Sequence, residues 1–296
     1  MNIKDAAQEF YDHSIHIRGY AKETVRRYRH AINYYCSLTG HTTLEQITEL
    51  SVRQMFYEGR QKRNWKPMTF LSYQKSLSVF FKWCQNRKYM KDNPIATLES
   101  PKLERRLPVN LNKQDAKKLL EWVYNYPYDS SFIRYRNHAI FAALLYAGLR
   151  KQEILQLRYT DVDLENMTLF INQSKGNKDR MIPISSALAG SLGRYVIERR
   201  TKGVTCPSFF ASSVQNRGIS DTTLKRLIEA MRKDSGIKFS AYKLRHTFAT
   251  LMLEGGCDIY SLSKMMGHED IKTTTIYLCA TTEHLRSQMV KHPLNG

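Results

Sequence analysis

Residues 139–150 read Ala139-Ile140-Phe141-Ala142-Ala143-Leu144-Leu145-Tyr146-Ala147-Gly148-Leu149-Arg150. The nine residues up to Ala147 carry no charge and no proline, and Gly148 is a stop signal. So apolar a run predicts a buried helix with a domain packed around it. Upstream, Asn112 precedes Asp115-Ala116-Lys117-Lys118-Leu119-Leu120, a capped helix. Downstream, Thr168-Leu169-Phe170-Ile171 and Arg180-Met181-Ile182-Pro183-Ile184 flank Ser174-Lys175-Gly176-Asn177-Lys178, which predicts a hairpin about a Gly-Asn turn. Helical patterns return over 222–232, 244–254, 258–266 and 273–278. The second half is therefore expected to be mainly α, with one small antiparallel sheet.

The first half is expected to be helical throughout. Over 24–38, Val25, Tyr28, Ile32 and Tyr35 form an apolar stripe that Gly40 ends. Over 67–84, Leu71, Leu77, Phe80, Phe81 and Cys84 are expected inside, with Lys75 and Lys82 outside. Asp92-Asn93-Pro94 and the proline-punctuated, charged stretch from Glu99 to Pro108 read as an extended tether. The expected organisation is a helical domain over 1–98, a linker over 99–108 and a second domain over 109–296.

Lys and Arg number 46 against 27 Asp and Glu, a net charge of +19, and the pI is near 9.7. The excess is shared, +9 on residues 1–106 and +10 on the rest. It implies a polyanionic partner. No apolar run approaches the ~18 residues of a membrane span. The first ten residues, MNIKDAAQEF, show neither a signal peptide nor a lipidation motif, so a membrane partner is not expected. Nucleic acid remains. Lys22, Arg26, Arg27 and Arg29 on one helix and Lys75 on another, where acids are scarce, are the candidate contacts. Cys36, Cys84, Cys206, Cys257 and Cys279 are odd in number and scattered without a C-x-x-C. That excludes a disulfide framework and a zinc module of ordinary spacing. Buried thiols in a reducing cytoplasm are preferred to a metal held by Cys257, His268 and Cys279.

Several polar groups stand where a core would not want them. Arg150 lies at the mouth of the apolar helix, and Arg245 and His246 open the apolar run Phe248-Ala249-Thr250-Leu251-Met252-Leu253. Gly267-His268 ends a helix, Tyr277 follows nine residues on, and Lys175 sits on the hairpin turn with Lys178 as a rival. Converging on one point, these types would make a metal-free phosphodiester site. Two guanidiniums clamp non-bridging oxygens and stay charged at every working pH. A histidine donates a hydrogen bond or moves a proton, a lysine protonates the departing 5′ oxygen, and a tyrosine attacks phosphorus. The spacing of His246 fits a support role.

In this order the segments resemble the tyrosine recombinases, the phage-integrase and Xer family. Ala147-Gly148-Leu149-Arg150-Lys151-Gln152-Glu153-Ile154 is similar to the family's first arginine motif, and Ser174-Lys175-Gly176-Asn177-Lys178-Asp179-Arg180 to its hairpin lysine motif. Leu244-Arg245-His246-Thr247-Phe248-Ala249-Thr250 resembles the second arginine motif, Met266-Gly267-His268 the late histidine, and Thr274-Thr275-Ile276-Tyr277 the nucleophile. The likeness spans nearly the whole chain. It implies a helical core-binding domain followed by a mixed α catalytic domain, with Arg150, Lys175, Arg245, His268 and Tyr277 catalytic. One position departs: the family usually has histidine three residues before the second arginine, and here Tyr242 stands there. A phenol donates to phosphate but is a poor proton shuttle near neutral pH.

The resemblance implies a site-specific enzyme that cuts and rejoins duplex DNA through a covalent 3′-phosphotyrosine, needing no metal or cofactor. Integration, excision and replicon dimer resolution all fit. It further implies a homotetramer on two duplexes, monomeric or dimeric without DNA. The stripe Leu285, Met289 and Val290 would belong to a last helix passed to the neighbouring protomer. Two alternatives share the fold: a DNA-binding protein that lost catalysis through Tyr242, and a type IB topoisomerase-like activity.

Overall fold

The apolar stripes of the first half form four helices in a computed structural model that describes residues 1–103, 110–174 and 178–277. The chain divides into two compact units, Met1–Arg105 and Arg106–Gly296. The first unit holds α1 (Ile3–Asp12), α2 (Lys22–Thr39), α3 (Glu49–Gln61) and α4 (Pro67–Asn86). The Thr48 hydroxyl caps α3 by accepting from the Ser51 N–H, and Pro67 opens α4. Phe10, Tyr35, Phe56, Phe80 and Phe81 fill the core. Tyr28 and Leu71, expected inside, are half-buried, and Phe70 turns inward beside Leu71 instead. Beyond α4, Ile95 is still buried in this core, and Gln74 Nε2 donates to the Leu98 carbonyl at 2.7 Å. The Ser100 hydroxyl donates to Gln74 Oε1 at 2.9 Å, so the first part of the expected linker is bonded to α4. Residues 104–109 lie outside the described residues.

The second unit is built on α6 (Ser131–Tyr146), whose stretch from Ala139 to Leu144 is buried on every side. On it pack α5 (Lys113–Asn125), α8 (Ser186–Thr201) and α10 (Ala241–Glu254), and the unit also holds α7 (Lys151–Gln156), α9 (Asp221–Ser235), α11 (Ile259–Met266) and α12 (Lys272–Thr275). The apolar run under-reads α6, which starts two turns earlier, at the Ser130 cap. Those turns carry Arg136, which is buried because it donates to Asn137 and to the Ala211 carbonyl. Gly190 and Gly193 and the charged last turn hide α8 from a propensity reading, yet Leu188, Leu192 and Tyr195 make it a core helix. Of the pattern expected over 273–278, the described residues form a helix only as far as Thr275, and Leu278 lies outside them.

The sheet is antiparallel, with β1 (Val162–Asp163), β2 (Thr168–Ser174) and β3 (Lys178–Pro183) in chain order. Its register pairs Leu169 with Ile182, Phe170 with Met181 and Ile171 with Arg180. Leu169, Ile171 and Ile182 face the core, whereas Phe170 and Met181 face out. Alternation therefore places Arg180 on the inward row, where a charge must find a partner. Among the described residues no helix is long and apolar enough to cross a membrane.

Candidate functional site

The site grows from the turn that ends α6. Gly148 takes φ +59°, and a Cβ there would lie 2.3 Å from Phe248 Cδ1, so only glycine lets α6 and α10 approach this closely. The turn delivers Arg150 to the N-cap of α7. Three residues on, Glu153 folds back: its Oε2 accepts from the Arg150 N–H and its Oε1 from Arg150 Nη1, both at 2.7 Å. The same carboxylate accepts a two-pronged contact from Arg180, at 2.8 Å on each oxygen. Arg245 Nη1 stands 3.9 Å from it. The Glu153 side chain is 4% exposed and the Arg180 side chain 7%. Burial alone would raise the Glu153 acid; the hydrogen bonds and charge of Arg180, with those of Arg150, overcome it and hold the carboxyl at about 2. Its folded value lies below the ordinary 4.5. The stabilisation is therefore complete above about pH 4.5 and is lost as pH falls towards about 2.

The same three guanidiniums satisfy the end of α11. Arg180 Nε donates to the Met265 carbonyl at 2.8 Å, Arg245 Nη2 to that of Met266, and Arg150 Nη2 to that of Gly267 at 2.9 Å. These carbonyls lack helical partners and carry the negative end of the helix dipole, so cations belong there. Gly267 ends the helix at φ +62°, and its bare Cα leaves room for the Arg180 side chain, whose Cδ would sit 2.9 Å from a Cβ. Arg245 also donates to the Gly148 carbonyl, closing the ring back to the α6 turn. Burial, then the charge of Arg150, lowers its guanidinium to about 10, still cationic at neutral pH. Against three arginines the described residues set the Glu153 carboxylate, which leaves positive charge in excess.

His268 follows Gly267 directly. Arg245 Nη2 stands 3.4 Å from His268 Nε2, and Thr274 Oγ1 lies 2.7 Å from Nδ1. A guanidinium can only donate, so Nε2 carries the lone pair and Nδ1 the proton of a neutral ring. Burial, then Arg245, Arg150 and Arg180, lowers the imidazole to about 4. The sign follows: below the ordinary 6.5 the unfolded chain takes up a proton that the folded site refuses until about pH 4. The denaturant midpoint of the intact chain is expected to fall between pH 7 and pH 5, and less steeply for His268→Gln. Equal slopes in the two proteins would count against this arrangement.

Tyr277 packs its ring among Phe248, Leu262 and Met266 and is 3% exposed. Burial and Tyr242 push its phenol up to about 12, against the opposing charges of Arg245 and Arg150. Its ring lies 5.2 Å from that of His246, which stands 4.0 Å edge-on from Tyr242. Tyr242 itself is exposed. Four of the expected catalytic residues, Arg150, Arg245, His268 and Tyr277, are thus gathered at the end of α11; Lys175 lies outside the described residues. Two participants were missed, Glu153 and Arg180. Each left a signal: an acid three residues after an N-cap, and a charge on the inward row of a strand.

In the first unit Lys22, Arg26, Arg27, Arg29 and Lys75 are all exposed. Arg26 and Arg27 line a cleft with His30 of α2 and Ser72 and Tyr73 of α4. Arg26 pairs with Glu23 at 2.6 Å, and Arg29 lies 4.8 Å over the Tyr11 ring, so the group is not one uniform face.

The profile of the phage integrase family matches residues 110–284, and that of the phage integrase N-terminal SAM-like domain matches residues 8–91. Tyrosine recombinase XerA of Pyrococcus horikoshii is 34% identical over 205 residues, 69% of this chain and 68% of that protein. Tyrosine recombinase XerD of Listeria monocytogenes is 29% identical over 297 residues, 96% of this chain and 97% of that one. Among solved structures, the XerH site-specific recombinase bound to palindromic difH substrate superposes with a TM-score of 0.74 at 21% identity, over 92% of this chain and 81% of that chain. The Tn1549 transposon integrase in complex with transposon right end DNA gives 0.74 at 17% identity, over 98% and 99% of the two chains. At these identities the structural likeness is one of fold.

Proposed function

Since this chain belongs to the phage integrase family, we propose that it cuts and rejoins duplex DNA at a recombination site through a covalent 3′-phosphotyrosine on Tyr277. The observation that carries this reading is the meeting of Arg150, Arg245, His268 and Tyr277 at one helix end, with positive charge in excess around them. Attack on a phosphodiester piles negative charge on the non-bridging oxygens, and Arg150 and Arg245 are placed to take it up. His268, itself bonded to Thr274, braces the Arg245 guanidinium that donates to the Met266 carbonyl. Lys175 is assigned protonation of the departing 5′ oxygen on the likeness of its hairpin motif. Tyr242 is exposed beside His246, and a phenol there can donate to a phosphate oxygen.

In this reading residues 1–98 are the helical core-binding domain, 99–108 the linker and 109–296 the catalytic domain, with the protein acting in the cytoplasm as a homotetramer on two duplexes. The division into two compact units supports that organisation. Lys22, Arg26, Arg27, Arg29 and Lys75 supply phosphate contacts. Affinity is then expected to fall steeply with salt, with log K dropping by about 0.9 per phosphate neutralised for each unit of log salt. Gel-shift titrations should give a slope of several phosphates, and a flat response would contradict the assignment.

The likeness to Xer recombinases along nearly the whole chain favours strand exchange over relaxation alone. The intact arginine, histidine and tyrosine set argues against a purely binding role. The experiment is strand exchange between two labelled duplexes carrying the same site. Recombinant product is expected; relaxation of supercoiled DNA without it would favour the topoisomerase-like alternative.

A further inference from the structure

Two imidazoles belong to the site, and they are not equivalent. His268 has both nitrogens engaged, Nε2 by Arg245 and Nδ1 by Thr274. His246 is 5% exposed, and its buried Nδ1 has no hydrogen-bond partner among the described residues. A buried polar atom left unpaired costs stability, so a persistent one calls for a role. Its ring meets that of Tyr242 edge-on at 4.0 Å and lies 5.2 Å from the tilted ring of Tyr277. With ring centroids 5.2 Å apart, His246 is the imidazole whose ring is in direct contact with that of Tyr277.

We propose that His246 is the proton acceptor for Tyr277, because it is the imidazole beside the nucleophile that keeps a nitrogen open. This rests on the reading of Tyr277 as the nucleophile. The Tyr277 O–H proton passes to an imidazole nitrogen of His246 as the phenolic oxygen bonds to phosphorus. The bond from phosphorus to the 5′ oxygen breaks, and that oxygen takes a proton from the general acid assigned above, Lys175, and leaves as a hydroxyl. On rejoining, the imidazolium returns its proton to the phenol.

The charges around His246 suit this. Arg245 and Tyr242 face it from α10, His268 from the end of α11 and Tyr277 from beyond α12. Burial, then Arg245, lowers the His246 imidazole, so the ring is neutral and able to accept at neutral pH. A phenol pushed up to about 12 does not ionise unaided and needs such a partner during attack. The tyrosine at 242 is thereby accounted for: with an imidazole one turn further along α10, the site does not need one there.

The test is single-turnover formation of covalent protein–DNA on a nicked suicide duplex, as a function of pH. His246→Gln is expected to slow it by about 10²-fold or more and to remove the acid limb of the rate profile. The double variant Tyr242→His with His246→Gln is expected to recover both. A variant-free measurement stands beside it. With a 5′-bridging sulfur, whose departure needs no proton, the unmodified protein should still show a solvent deuterium isotope effect. Near-normal cleavage by His246→Gln with an unchanged pH profile would overturn the proposal, as would slow cleavage with the acid limb intact, or no isotope effect on the sulfur substrate. Absence of any covalent complex from the unmodified protein would overturn the nucleophile assignment itself, and this proposal with it.

Discussion

Tyr277→Phe is expected to abolish covalent bond formation with DNA while leaving half-site affinity unchanged. The substitution removes one oxygen, and that oxygen is the nucleophile of the proposed reaction. The ring keeps its place among Phe248, Leu262 and Met266, so the fold and the DNA-facing surfaces are retained. A denaturing gel on a suicide duplex reads the first expectation and a gel shift the second. Covalent complex at the unmodified protein's level would move the nucleophile elsewhere.

Glu153→Ala is expected to be the most damaging change in the second unit outside its apolar core. It leaves Arg180 and Arg150 without the carboxylate that both bond, and Arg180 is nearly fully buried. Removing one partner of a buried ion pair costs about 3–5 kcal/mol, because the remaining charge is stranded. The three guanidiniums would then repel one another and release the α11 carbonyls they hold. Cleavage should fall with stability, since Arg150 and Arg245 are set by the same contacts. Glu153→Gln keeps an acceptor for the Arg150 N–H and should be milder. Denaturant unfolding together with single-turnover cleavage checks both, and a loss below about 1 kcal/mol would show that the arginines are held without Glu153.

How much of this was legible depended on how local the cause was. The stripe of Val25, Ile32 and Tyr35, the Asn112 cap and the two strands of the hairpin are set by neighbours in sequence, and they could be read there. Helix α8 could not, because its glycines and charges spoil the pattern and burial on α6 decides it. The catalytic candidates were legible through the order of their motifs, not through their type; the chain has 18 tyrosines. What sequence could not supply was the hub. Gly148 is required by Phe248, and Arg180 meets Glu153 only when β3 is laid beside α11 and α7. The different states of His246 and His268 are likewise a matter of who faces whom. Lys175 and the stripe at 285–290 lie outside the described residues, so their expected roles rest on sequence alone.

The central claim is that Tyr277 becomes bonded to DNA. The direct measurement is to trap the complex on a nicked suicide duplex, digest it with protease and nuclease, and locate the phosphonucleotide adduct by mass spectrometry. The account predicts the adduct on Tyr277, linked through a 3′-phosphate. An adduct on Tyr242 or any other residue, or linkage through a 5′-phosphate, would contradict it.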